Sequence, residues 1–134
     1  MERDIYYGEL KLYGAENKHT LRSANNYAKS LIDLRRFAEA RSLLRETIPV
    51  AQRALGDNNE DTIRLRWNYA KTFFTNRTTP DDLREIVTTL EDTERIARRV
   101  LGGAHPSTTV IEASLQNSRA TLRARETPSP AESA

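Results

Sequence analysis

Two ten-residue stretches of this chain are near copies of each other: Thr20–Lys29 is TLRSANNYAK, and Thr62–Lys71 is TIRLRWNYAK. Six of the ten positions are identical, and the copies lie 42 residues apart. Each copy begins at the threonine of a Gly–x5–Thr pattern, which starts at Gly14 and Gly56 and occurs a third time over Gly102–Thr108. A sequence that repeats itself every ~20–50 residues is typical of repeat proteins, in which neighbouring units share one hydrophobic core.

A second pair of matching stretches extends the repeat. Residues 37–56 lie over residues 83–102 at a shift of 46. The residues of the first stretch that recur in the second are Glu39, Leu44, Thr47, Ala51, Arg53, Leu55 and Gly56. Because the shift rises from 42 to 46, we infer a four-residue insertion at about residues 76–82. The segment Thr78–Pro80 favours a loop there.

The composition and the spacing of apolar residues predict helices without strands. Glycine and proline are scarce, with five of each, whereas the good helix formers Ala, Leu, Arg and Glu are abundant. Apolar residues at three- and four-residue steps place the helices at 18–34, 37–55, 61–75, 80–101 and 106–125, and leave room for a short additional helix in 2–13. Pro49 has no N–H for the Arg45 carbonyl, so we expect it to kink its helix without breaking it.

These elements divide the chain into repeats. The expected divisions are an N-terminal segment at 1–14, for which the end of a preceding repeat is one interpretation, repeat 1 at 15–56, repeat 2 with the insertion at 57–102, a partial third repeat or capping helix at 103–126, and a disordered tail at 127–134. Two and a half repeats make a small core. The sequence therefore indicates either a fragment of a longer array or a small domain that self-associates.

Composition excludes several functional classes. The chain has 134 residues, the length of one domain, and its 21 basic and 19 acidic side chains give a net charge of +2. The absence of cysteine excludes disulfide scaffolds, thiolate metal sites and cysteine nucleophiles. The two histidines, His19 and His105, have no carboxylates at metal-ligand spacing, and no glycine-rich phosphate loop occurs. We therefore expect a structural or solvent-exposed role for both histidines, and no enzyme activity, catalytic residue, metal or cofactor.

The sequence also predicts where the protein works. No apolar run approaches the ~20 residues of a membrane span. The N-terminus lacks the apolar stretch of a signal peptide. We expect a cytoplasmic protein without a membrane partner.

The repeat pattern resembles the tetratricopeptide repeat, specifically the 42-residue variety found in kinesin light chains and related proteins. The residues that carry the resemblance are Tyr27-Ala28, Tyr69-Ala70, Phe37–Ala40, Leu44, Thr47, Leu55-Gly56 and Leu101–Thr108. The resemblance implies a right-handed α–α superhelix of antiparallel helix pairs that acts as a protein-binding scaffold. The sequence departs from the family pattern at the insertion, at Ile86 in place of a small residue, and at Gln116 where the first two units have alanine. No motor or cargo-specific motif is present, so a role on microtubules does not carry over.

A polar stripe is repeated in the two copies. Arg22, Asn26 and Lys29 are spaced i, i+4 and i+7, on one face of a helix, and the same three residue types recur in the second copy. Each repeat in the family that the chain resembles has two helices, and the stripe lies on the first of them. In that family the first helices line a concave wall where partner peptides lie. Asparagine offers a donor and an acceptor to a peptide backbone, and arginine and lysine neutralise carboxylates. The predicted peptide-binding residues, with Trp67 as a candidate anchor, are Arg22, Asn25, Asn26, Lys29, Arg64, Trp67, Asn68 and Lys71.

The stripe predicts the charge of the partner. Four cations that face one concavity repel each other unless an anion lies between them, which favours an extended, acidic peptide segment. An alternative explanation of the stripe is common ancestry of the two repeats, with the residues simply solvated. Packing between neighbouring helices is likewise an alternative role for Trp67.

A nucleic-acid-binding domain is the second functional hypothesis. The basic C-terminal residues that would serve it are Arg95, Arg98, Arg99, Arg119, Arg123 and Arg125. Glu91, Asp92 and Glu94 offset part of this charge, which favours a solvated face over an RNA surface. The net charge of +2 is also far from that of a dedicated nucleic-acid binder, so we expect a protein or peptide partner.

Overall fold

A computed structural model describes residues 1–74 and 78–126. In these residues the chain forms six α-helices and no strand. The helices are α1 (Glu2–Tyr13), α2 (Lys18–Asp33), α3 (Phe37–Ala54), α4 (Glu60–Lys71), α5 (Pro80–Leu101) and α6 (Pro106–Glu126). The predicted all-α fold class is confirmed, and the helix pairs are consistent with a helical repeat solenoid. The chain divides into two compact units, Met1–Thr72 with α1 to α4 and Phe73–Ala134 with α5 and α6.

The first unit has a core built from three of its helices. Here α1 packs on α2, α2 on α3 and α3 on α4, while α2 also contacts α4. Leu21 and Ala28 of α2, Leu44 and Ala51 of α3, and Leu65 of α4 form the buried core. Because α2 and α4 carry the two copies of the polar stripe, their contact brings the two copies side by side.

The second unit is a single helix pair. α5 and α6 pack against each other. On α6, Ile111, Leu115 and Ser118 are buried and Leu122 is half-buried, so these residues form the face towards α5. On α5, Ile86 is fully buried, so the larger residue at this position contributes apolar surface to the core.

A threonine that recurs at equivalent positions of α3 and α5 has the same role in both helices. Thr47 Oγ1 donates to the Leu43 carbonyl at 2.7 Å, and Thr93 Oγ1 donates to the Thr89 carbonyl at 2.7 Å. Both threonines are buried. The bond satisfies a hydroxyl that would otherwise be buried without a partner, which explains why a polar residue is tolerated at this core position in both units.

The Gly–x5–Thr pattern forms the joints that connect α1 to α2, α3 to α4 and α5 to α6. Gly14, Gly56 and Gly102 have φ angles of 86°, 88° and 91°. Glycine adopts this left-handed conformation without the steric cost that a Cβ would add. The joint therefore needs glycine at this position.

The side chain three positions before each repeated threonine caps the helix that follows. Asn17 Oδ1 accepts from the His19 N–H, and Asn59 Oδ1 accepts from the Asp61 N–H, each at 2.8 Å. His105 occupies the third such position, and its Nδ1 accepts from the Ser107 N–H at 3.1 Å. The expected structural role of His105 is confirmed, and its specific task is to satisfy a free N–H at the start of α6.

The fourth helix ends earlier than the sequence predicts. α4 ends at Lys71, before the predicted end at residue 75. Thr72 Oγ1 donates to the Tyr69 carbonyl at 2.7 Å, and Arg41 Nη2 donates to the Thr72 carbonyl at 2.8 Å. Arg41 of α3 thus binds a carbonyl at the C-terminal end of α4, where helix carbonyls lack intrahelical partners.

Pro49 and Pro80 occupy different positions in their helices. α3 runs through Pro49 without a break. Pro80 is the first residue of α5, where its missing N–H is not needed. Thr79 and Asp82 form a capping box around it, with Asp82 N donating to Thr79 Oγ1 and Thr79 N donating to Asp82 Oδ2, each at 3.1 Å. The predicted disordered tail and part of the predicted insertion lie outside the described residues.

Candidate peptide-binding face

A buried carboxylate joins α2 to α4, the helices that carry the two copies of the stripe. The side chain of Asp61, at the start of α4, is only 8% exposed. Its Oδ2 lies 3.1 Å from Arg22 Nε on α2, and its Oδ1 lies 3.5 Å from Arg64 Nη1 on α4. Arg64 also contacts Glu60, with 2.6 Å between Nη2 and Oε1. The two arginines of the stripe are therefore neutralised by carboxylates of the chain itself.

Two asparagine side chains form a second link between α2 and α4. Asn68 Nδ2 donates to Asn25 Oδ1. Asn68 is buried and Asn25 half-buried. Asn26, which is the equivalent of Asn68 in the first copy, is exposed. The same residue type thus links two helices in one copy and remains accessible in the other.

The C-terminal ends of the two helices carry two lysines and the single tryptophan, a group that we call the lysine end (Lys29, Trp67 and Lys71). Lys71 Nζ lies 5.1 Å from the centroid of the half-buried Trp67 ring, within cation–π distance. Burial lowers the pKa of Lys71, the charge of Lys29 lowers it further, and Asp33 opposes the shift. The charged form of Lys71 is therefore disfavoured here, and an added anion would stabilise it.

Comparison with known families identifies the same part of the chain. The family model for the tetratricopeptide repeat matches residues 19–78. This match supports a tetratricopeptide-repeat protein. Tetratricopeptide repeats generally mediate protein–protein interaction and are typically non-enzymatic scaffolds. No curated protein matches the chain.

The matched tetratricopeptide-repeat segment contains all eight predicted peptide-binding residues, but in different environments. Those bonded to groups of the chain itself are Arg22, Asn25, Arg64 and Asn68, of which the two arginine side chains are also 51% and 50% exposed. Of the other four, Asn26 and Lys29 are exposed, and Trp67 and Lys71 are half-buried. The two arginines do not need the external anion that the sequence predicts for four close cations, because Asp61 supplies one. For the two lysines the external anion stays a prediction, and Asp33 opposes part of the effect of Lys29 on Lys71.

Sequence reasoning missed the role of Asp61 in this repeat. An acidic residue in the first turn of a helix, three positions before an arginine, was the available signal. The comparison of the two copies obscured it, because the equivalent position in the first copy is His19. Aligning the two copies identifies the residues that they share, whereas the ion pairs of Asp61 with Arg22 and Arg64 depend on a position where the copies differ.

The basic C-terminal residues do not form a uniformly positive surface. Ion pairs in the second unit are Arg95–Asp92 at 3.1 Å, Arg98–Glu94 at 2.8 Å, Arg98–Glu112 at 2.9 Å and Arg119–Glu91 at 3.3 Å. Arg125 donates to the Thr78 carbonyl. Charges of both signs alternate on α5 and α6, which is unlike the basic stripe of a nucleic-acid interface.

Of the six described helices, none is long and apolar enough to cross a membrane. Within residues 1–74 and 78–126, no group of three or more His, Asp or Glu side chains is placed to hold a metal ion.

Proposed function

We propose that the first unit binds an extended, acidic segment of a partner protein along the face formed by α2 and α4, with the lysine end as its main contact. The observation that carries the proposal is the pair of mutually repelling lysines beside a half-buried tryptophan. A carboxylate placed between Lys29 and Lys71 would stabilise both charges. The face of Trp67 would add apolar contact, and aromatic anchors of this kind often dominate binding energy.

Four of the eight predicted residues support the fold of this face more than a ligand. A peptide that engaged Arg22 or Arg64 would compete with Asp61, and one that engaged Asn68 would compete with Asn25. Asn26 remains exposed and offers a donor and an acceptor to a peptide backbone. We therefore assign direct contact to Asn26, Lys29, Trp67 and Lys71 and a supporting role to the others.

The 42-residue spacing of the two copies supports assigning these repeats to the variety found in kinesin light chains. This assignment concerns the repeat type. The partner is defined here by its chemistry, as an extended segment rich in Asp and Glu.

Peptide selection followed by tryptophan fluorescence tests the proposal. Because the chain has a single tryptophan and it lies at the proposed site, its emission reports binding directly. Short peptides rich in Asp and Glu should change this emission, whereas the same peptides with Asn and Gln should not. Affinity should be modest, since an exposed charge contact contributes only about 0.2–1 kcal/mol.

Charge reversal with a matched control makes the test specific. Lys29→Glu combined with Lys71→Glu should abolish peptide binding while the protein stays folded. Lys29→Gln combined with Lys71→Gln gives the same loss of attraction without placing a new carboxylate near Asp33. The control, Arg53→Glu with Arg123→Glu, changes the net charge equally at exposed positions of α3 and α6 and should bind as the parent does. If both lysine variants bind as tightly as the parent, the proposal is wrong and the stripe reflects common ancestry.

A further inference from the structure

One face of α1 carries an apolar stripe that the described chain leaves uncovered. Ile5 and Leu12 of α1 are 51% and 75% exposed, Met1 directly before the helix is 93% exposed, and α1 contributes no buried residue. Together with Gly8 they are spaced 4, 3 and 4 residues apart, the spacing with which helices pair in coiled coils. Contiguous exposed apolar side chains are typical of an interaction surface, in contrast to scattered ones.

At Gly8, in the centre of this stripe, no contact with residues 1–74 or 78–126 requires a glycine. Glycine inside a helix is less favourable than alanine because it loses more backbone freedom on folding. Gly8 is exposed, and a Cβ added to it would meet nothing within 4 Å. A second helix that crossed α1 here could approach the backbone closely, which supplies a reason for the glycine.

The charges beside the stripe suit an antiparallel copy of the same helix. Asp4 and Lys11 are both exposed and lie seven residues apart, on one side of the stripe. In an antiparallel pair the start of one α1 lies against the end of the other, so Asp4 of each copy faces Lys11 of the other. In a parallel pair Asp4 of each copy would instead face the side of the partner's stripe that carries Glu9, which is also acidic. On the opposite side of the stripe, Glu9 is turned towards α2, where its Oε2 accepts from Ser23 Oγ at 2.5 Å.

We infer that α1 binds a second copy of this chain, α1 against α1, in an antiparallel pair with two-fold symmetry. In this arrangement Leu12 of one copy packs beside Met1 of the other, and Ile5 packs beside Gly8. With 12 residues α1 is only about 18 Å long. The interface is therefore smaller than the ~1,200 Å² of stable complexes, and the dissociation constant should lie between about 10 µM and 1 mM.

Sedimentation equilibrium of the full chain over this concentration range tests the inference. The parent should show a monomer–dimer equilibrium, and Ile5→Glu combined with Leu12→Glu should remain monomeric. The control, Leu34→Glu with Val110→Glu, removes two other exposed apolar side chains and should dimerise as the parent does. A parent that stays monomeric at the highest concentration, or a dimer that the Ile5 and Leu12 variant leaves unchanged, would overturn the inference.

A charge exchange tests the orientation without disturbing the apolar stripe. Asp4→Lys alone and Lys11→Glu alone should each weaken the dimer about threefold or more, because each change replaces two attractive pairs by repulsive ones. The combined variant restores opposite charges and should recover the parent's dissociation constant. If the combined variant dimerises no better than the single ones, the antiparallel arrangement is wrong.

Discussion

The side chain three positions before each repeated threonine accepts a hydrogen bond from a free N–H at the start of a helix. At the joint between α5 and α6 this side chain is that of His105. His105→Ala removes the acceptor for the Ser107 N–H. We expect a loss of about 0.5–2 kcal/mol in the free energy of unfolding, measured by chemical denaturation. His105→Asn places at this joint the residue found at the other two and should keep the stability of the parent. An alanine variant as stable as the parent would show that water caps α6 equally well.

Asp57 links the stability of the first unit to pH. Hydrogen bonds from Arg66 at 2.7 Å and from Gln52 at 3.0 Å lower the pKa of its carboxyl below the ordinary value of 3.8. The folded state therefore binds fewer protons than the unfolded state as the pH falls through this range. The stabilisation is present above the ordinary pKa and is lost as the pH falls through the lowered one.

Asp57→Asn should reduce the acid dependence of stability. Because Asp57 is largely exposed, we expect less than about 1 kcal/mol of difference at neutral pH, decreasing towards pH ~3. Denaturation curves at a series of pH values measure this difference. An acid dependence that is identical in the variant and the parent would assign the effect to other carboxylates.

Individual polar contacts were the least predictable part of the candidate site. The sequence placed Arg22, Asn26 and Lys29 correctly on one helix face, because the spacing of residues along a helix is fixed. It did not indicate that Asp61 binds two arginines or that Asn68 bonds to Asn25, because these contacts depend on how α2 and α4 lie against each other. Such distances are properties of packing and have no signal in either helix alone.

Among the helices, α3 depends most clearly on one buried leucine. Leu44 is fully buried in the core with Leu21 and Leu65. Leu44→Ala should lower the free energy of unfolding by about 2–5 kcal/mol and sharply lower the melting temperature. The control is Leu34→Ala at an exposed position, which should change the melting temperature little. If the Leu44 variant melts with the parent, the buried face assigned to α3 is wrong.

Helix starts were predicted more accurately than helix ends. The predicted starts at 18, 37, 80 and 106 coincide with those of α2, α3, α5 and α6, because local residues determine them. Asn17, Thr79 and His105 provide three of these local signals. The end of α4, which was predicted four residues too late, carries a contact from another helix, since Arg41 donates to the Thr72 carbonyl. A contact of this kind has no signal in the residues beside the boundary.

For the whole molecule, the balance of charges argues against nucleic-acid binding as a main function. The net charge is only +2, and many arginines of α5 and α6 contact carboxylates of the same helices. We expect single-stranded RNA to bind no tighter than about 10⁻⁶ M at physiological salt, with the strong salt dependence of non-specific contacts. Fluorescence anisotropy with labelled polyuridine measures this affinity. Much tighter RNA binding that Arg119→Glu and Arg123→Glu abolish would restore the nucleic-acid hypothesis.

The glycine joints have a consequence for how many repeats such a protein can contain. At Gly56 the N–H donates to the Gln52 carbonyl, the carbonyl accepts from the Asn59 N–H, and Asn59 caps the next helix. At Gly102 the same bonds recur with His105 in place of Asn59. A copy of residues 15–56 inserted after Gly56 would meet at each end the junction that it already has. Duplication of a whole repeat therefore requires no new turn. The number of repeats can change by gene duplication or by engineering more readily than the position of a single helix boundary can.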